Sequence, residues 1–250
     1  MKLTIFGGST AAGLGVTDRS FAARIADELQ LDFLNLAGSS AQITDSLELV
    51  DRAAGSRVVL VMHGSGEALV RPTERSLRAM PKRWRRRGWM DPRAYYSRRL
   101  HKRLPQRIES AIRWRIKVFL IRRTGGENIL QLDEYCTATR ALAERLQALG
   151  VEQIVFVGSA ALDPRYFPLS TEQIAMYDEA TERIAREYGA VFANVIDACD
   201  RWDDYFLDHL HPNESGHAKL AAAILAQMRT TSSALARSAE SVNVVWAGAQ

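Results

Sequence analysis

The sequence of 250 residues predicts an α/β protein: a three-layer α/β/α sandwich on a five-stranded parallel sheet, plus a basic helical insertion. Three observations carry that reading. Short apolar runs alternate with longer segments of helical spacing, in βαβα order. The run Val58–Met62 is apolar without a break, as strands buried on both faces are. Residues 71–123 interrupt both the alternation and the charge balance, which marks them as an excursion from the sheet.

The elements follow in order. Leu3–Phe6 is a short apolar strand that runs into Gly7-Gly8. Phe21–Leu29 has helical spacing at Phe21, Ile25 and Leu29. Phe33–Leu36 is a second strand, Ser46–Ala53 a helix, and Val58–Met62 the third strand. Asn128–Leu149 is a long helical pattern closed by Gly150, a residue suited to the left-handed turn that ends a helix. Ile154–Val157 is a fourth strand. Thr171–Tyr188 is a helix closed by Gly189, and Val191–Val195 is a fifth strand. Pro212-Asn213 introduces a last helix over Glu214–Met228. Residues 1–229 therefore read as one domain carrying the insertion at about 71–123, with a Ser/Ala-rich tail at 230–250. Within the insertion, Gln106–Leu120 sets Ile108, Ile112, Ile116 and Phe119 on one helical face.

Bulk properties exclude several classes. Composition is that of an ordinary globular protein, with 47% apolar and 25% charged residues. No apolar run approaches the roughly 18 residues of a membrane-spanning helix. The N-terminus enters a strand at once, with no apolar signal segment, so the expected location is the cytoplasm. Cys136 and Cys199 read as two buried free thiols rather than a disulfide or metal site. The net charge of +4 conceals an asymmetry: residues 71–123 hold 19 of the 33 Lys and Arg against three acids, a net +16, so the rest carries −12. The run Lys82-Arg83-Trp84-Arg85-Arg86-Arg87-Gly88-Trp89 interleaves cations with Trp, and Tyr95, Tyr96 and Trp114 follow. That pattern suits an anionic surface or acidic polymer. Nucleic acid ranks low, because no recognised binding motif accompanies the patch. The alternative is a self-packed cap or a dimer surface.

Two segments carry chemistry. Ser9, in Gly7-Gly8-Ser9-Thr10, follows the first strand and so sits at the carboxyl end of the sheet, where open α/β sheets bind ligands. Taken alone, Gly7-Gly8-Ser9-Thr10 reads first as a strand-to-helix turn with Ser9 or Thr10 as N-cap. In Asp208-His209-Leu210-His211-Pro212-Asn213, an Asp lies three residues before a His. A histidine that activates a serine needs one ring nitrogen on the hydroxyl and a carboxylate on the other, and this spacing supplies both within one turn. The other readings are a helix-capping Asp–His pair, or a metal site from His209, His211 and His217, which lacks carboxylates beyond Asp204 and Asp208.

The combination resembles the SGNH, or GDSL-type, hydrolase family across residues 2–65 and 127–228. The family's first block is similar to Gly7-Gly8-Ser9-Thr10-Ala11-Ala12-Gly13, its second to Asn35-Leu36-Ala37-Gly38-Ser39-Ser40, its third to Gly64-Ser65-Gly66-Glu67, and its last to Asp208–Gly216. The resemblance implies a flavodoxin-like sheet order and a serine ester hydrolase that works without metal or cofactor. It implies Ser9 as nucleophile, His211 as general base and acid, and Asp208 as its orienting carboxylate. It also implies the N–H groups of Ser9 and Gly38 as oxyanion donors. Gly8 stands where the family has Asp, and Gly66 where it has an oxyanion-donating Asn. Candidate replacements at the third donor are the Gly66 N–H, Ser65, Gln42 and His63; Glu67 reads as an electrostatic or substrate-contacting residue, or as a solvated acid at a helix start. The expected substrate is a small or saccharide ester, with acetyl removal from carbohydrate foremost. A lysophospholipase, thioesterase or acyltransferase would fit the same site. A competing class is a catalytically weak binding protein that holds an anionic partner through the insertion.

Overall fold

The computed structural model describes residues 1–16, 19–78, 80–85 and 100–247. Trp89, Tyr95 and Tyr96 of the aromatic–basic run lie outside the described residues. Five strands, β1 (Lys2–Gly7), β2 (Asp32–Asn35), β3 (Ser56–Met62), β4 (Gln153–Val157) and β5 (Val191–Ala193), form one all-parallel sheet in the order β2-β1-β3-β4-β5. This is the predicted sheet, with strand ends shifted by one or two residues.

Position in the sheet explains strand composition. β1 and β3 are flanked on both sides, and Leu3, Ile5, Phe6, Val59 and Leu60 are fully buried. Their two polar interior residues satisfy each other, Thr4 Oγ1 to Ser56 Oγ at 2.7 Å. The edge strand β2 is mostly exposed, which is why its sequence is the least apolar of the five.

Helices cover both faces. On one face α1 (Phe21–Glu28) packs against the last helix; on the other lie α2 (Ile43–Leu49), a short α3 (Ser65–Ala68), and two long helices. After α4 (Glu74–Leu77) comes the insertion helix α5 (Leu100–Thr124), then α6 (Leu132–Ala148), α7 (Ser170–Glu187) and α8 (Glu214–Ala247). The Ser20 hydroxyl caps α1 by accepting from the Ala23 N–H. Gly150 and Gly189 close α6 and α7 in the left-handed conformation, φ 72° and 61°, as their positions predicted. The backbone of α8 continues past Met228, where the sequence pattern closes, because Ser and Ala carry no break signal. Both cysteines are buried and free.

The insertion helix forms as expected but packs opposite to its apolar pattern. Ser110, Lys117, Val118 and Ile121 are buried, whereas Ile108, Ile112 and Phe119 face solvent. Trp114 supplies the reason. Its ring stacks on Tyr166 at 4.6 Å and its Nε1 donates to the Tyr166 carbonyl at 3.1 Å, which fixes that side of the helix inward. Burial, reinforced by Arg113 and Arg71, draws the Lys117 amine down to about 7.

Candidate active site

Strand β1 ends at Gly7, where the chain must pass close to β3. A Cβ there would lie 2.4 Å from the Met62 carbonyl oxygen, so only glycine fits and the turn can carry Ser9 over the end of the sheet. Ser9 Oγ does not cap its own turn; it lies 2.8 Å from His211 Nε2. His211 Nδ1 in turn lies 2.7 Å from Asp208 Oδ2.

The loop holding that pair is built from its own backbone. His209 takes φ 52°, turning the chain so that Asp208 and His211 project to the same side. Asp208 Oδ1 accepts the N–H groups of Leu210 and His211, both at 3.0 Å. The Phe206 N–H donates to the His211 carbonyl, and the Asn213 N–H to the Asp204 carbonyl. Asn213 Oδ1 caps α8 through the Gly216 N–H at 3.1 Å. Asp208 is 2% exposed. Burial disfavours its charge, but hydrogen bonds from the His211 ring and two N–H groups prevail and hold its carboxyl below the usual range. An ionised Asp208 accepts from Nδ1–H, which leaves the Nε2 lone pair facing the serine hydroxyl.

Ser9 opens onto a cavity of about 350 Å³. Its walls are largely apolar, with Leu14, Met62, Leu69, Ile129, Leu162 and Leu210, and Arg71 is the one Lys or Arg among the lining residues.

The oxyanion side departs from expectation. Gly38 donates its N–H to the Gly7 carbonyl at 3.0 Å, extending the sheet ladder, and does not line the cavity. It is therefore not free to serve as a donor. Ser40, two residues on, lines the cavity, has φ 64°, and among the described residues its N–H donates to no protein acceptor; the same holds for the Ser9 N–H. Glu67 is also not a cavity residue. It is 2% exposed and ties the start of α2 to the β3–α3 turn, accepting from the Ile43 N–H at 2.9 Å, the Gly64 N–H at 3.0 Å and His63 Nδ1 at 3.0 Å. Burial opposes its charge, and these donors outweigh that, keeping its pKa low. His63 is likewise committed, with Nε2 on Ser46 Oγ at 2.8 Å. Gly66, Ser65 and Gln42 do line the cavity. A Cβ at Gly66 would meet nothing within 4 Å, so the space for a side chain is open.

The metal reading meets different partners for each histidine. His217 Nδ1 accepts the Phe21 N–H at 3.1 Å, and His209 packs on Tyr166 with ring centroids 4.2 Å apart. Among the described residues no three His, Cys, Asp or Glu converge. Ser40 and Arg71 are polar cavity residues without a site role in the sequence reading, and the apolar wall residues likewise had none. A serine in the left-handed conformation has no sequence signature, and Arg71 was counted with the basic segment it begins.

The five-stranded parallel sheet carries a hydrogen-bonded Ser9, His211 and Asp208 at its carboxyl end. The chain belongs to the GDSL-like lipase/acylhydrolase family, whose model matches residues 5–219. Among solved structures it is similar to a catalytic mutant of Axe2, an acetylxylan esterase from Geobacillus stearothermophilus, with 17% identity, 90% of this chain and 93% of that chain covered, and a TM-score of 0.57. It is also similar to TesA, with 14% identity, 92% and 99% covered, and a TM-score of 0.57. No curated protein gives a significant match.

Proposed function

We propose that the chain is a serine carboxylic ester hydrolase that acts through an acyl-enzyme on Ser9. The observation that carries this is the continuous hydrogen-bonded relay Ser9–His211–Asp208 at the wall of a cavity. His211 Nε2 takes the Ser9 proton as Oγ attacks the ester carbonyl, and Asp208 stabilises the imidazolium. The developing oxyanion receives the N–H groups of Ser9 and Ser40, with Gly66, Ser65 or Gln42 at the third position. His211 then protonates the leaving alkoxide. A water, activated by the same nitrogen, releases the acyl group. Support also comes from the Axe2 structures. Their catalytic mutants replace a serine, an aspartate and a histidine, the last two three positions apart as here.

Removal of acetyl groups from a carbohydrate is the first reading of substrate, and the acetylxylan esterase supports it. The apolar cavity wall favours a second, an ester with a longer acyl chain. A series of p-nitrophenyl esters of rising chain length separates them. A kcat/KM that peaks at acetate supports the first, and one that climbs by about tenfold for each few added methylenes supports the second. The absence of turnover across the whole series would refute the hydrolase reading.

A further inference from the structure

We propose that the outward face of α5 seats the protein on an anionic lipid surface. Leu104, Ile108, Ile112 and Phe119 are 65%, 56%, 45% and 64% exposed, and their spacing aligns them in one stripe along the helix. Arg115, Arg122 and Arg123 are exposed on or beside the same face. The helix buries its polar Ser110 and Lys117 instead, so it presents outward the side that sequence periodicity would place inward. An apolar stripe bordered by guanidinium groups is the pattern of a helix lying in a membrane interface.

Charge selects the occupant. Arg115, Arg122 and Arg123 border the stripe, so the same face of a second copy would meet it with like charge. Nucleic acid matches the charge and can stack on Phe119, but it offers nothing for Leu104, Ile108 and Ile112, which neither stack on bases nor bind phosphate. A bilayer with acidic headgroups satisfies both halves of the pattern: the headgroups take the arginines, and the acyl boundary takes Leu104, Ile108, Ile112 and Phe119. The binding is peripheral, since no helix among the described residues is long and apolar enough to cross a membrane.

Placement gives the docking a use. The Glu127 segment after α5 pairs with Arg71, which lines the cavity. Trp114 of α5 stacks on Tyr166, which packs on His209 between Asp208 and His211. α5 therefore stands between a surface bound on its outward face and the walls of the Ser9 cavity. Only this use, supply of an acyl ester from the bilayer, rests on the ester-hydrolase reading; the docking itself does not.

The full-length Ser9→Ala protein would be sedimented with vesicles of phosphatidylcholine alone and of phosphatidylcholine mixed equally with phosphatidylglycerol. Binding should be about tenfold or more tighter to the acidic vesicles and weaken with salt. The triple variant Ile108→Ser/Ile112→Ser/Phe119→Ser should lose about tenfold or more of it. In the Ser9-containing background, the same triple variant should hydrolyse p-nitrophenyl acetate as before, which also shows that it folds. The pair Arg115→Glu/Arg123→Glu should abolish the preference for acidic lipid. The proposal is overturned if the parent fails to bind, or if the triple variant binds as tightly as the parent. It is also overturned by light scattering that shows a dimer dissolved by the triple substitution, or by nucleic-acid binding that the substitution leaves intact while vesicle binding is absent. Vesicle binding without any ester turnover by the Ser9 protein would instead sink the hydrolase reading and leave the docking standing.

Discussion

Asp208 and His211 lie on one turn, joined by a ring hydrogen bond at 2.7 Å and by two N–H donors from the same loop. The proposed oxyanion donors across the site come from three loops, which follow β1, β2 and β3 and carry Ser9, Ser40 and Gly66. The first half is a local structure, fixed by neighbours in sequence. The second is an assembly whose geometry depends on how strands stack in the sheet. Local halves tolerate little change, because each group has a dedicated partner. Assembled halves can lose a donor, as at Gly66, and still keep others.

That contrast predicts unequal responses to substitution. Asp208→Asn removes the acceptor of the His211 Nδ1 proton and favours the wrong tautomer; kcat for p-nitrophenyl acetate should fall by about 10⁴-fold, near the background of His211→Ala. A loss under tenfold would mean that the acid–base half is not the working half. On the other side, Gly66→Asn fills open space with an amide donor. It should raise kcat by about tenfold to a hundredfold, since a single oxyanion donor is worth about 10²–10³. No gain would show that the third position is already filled by a neighbour.

The acid–base half also leaves a mark on the pH dependence of stability. The Asp208 carboxyl is depressed in the folded state, so its stabilisation is fully present above its unfolded pKa of about 3.9 and is lost as pH falls through the lower folded value. Urea denaturation of the wild type should show stability declining across that acid window. In Asp208→Asn the decline should be shallower; equal slopes would remove Asp208 from the balance. The smallest effect is expected at Ser40. If its backbone N–H is what matters, Ser40→Gly keeps kcat within about twofold, while relief of the left-handed strain adds about 1 kcal/mol of stability. A tenfold loss of kcat would give the role to the hydroxyl.

The same distinction explains what the sequence revealed. Five strands, the Gly150 and Gly189 helix stops and the Asp208–His211 pair were legible because each is a local pattern: an apolar run, a cap, a spacing of three. Gly38 and Glu67 were misplaced because their roles depend on the sheet. Gly38 is drawn into the β1 ladder by the Gly7 carbonyl, and Glu67 is drawn into the interior by Ile43 N–H, Gly64 N–H and His63. The sense of α5 was hidden for a similar reason. Periodicity shows that a helix is two-faced, but Trp114 and its partner Tyr166, 52 residues apart, decide which face turns inward.

The role proposed for Ser9 is that of a nucleophile activated by His211. Its most direct test is labelling of the folded protein with a serine-reactive fluorophosphonate, read by intact and peptide mass spectrometry. The relay predicts one adduct per chain, on Ser9, absent in Ser9→Ala and reduced at least about a hundredfold in rate in His211→Ala. An unlabelled wild-type protein, or an adduct on any other residue, would contradict it.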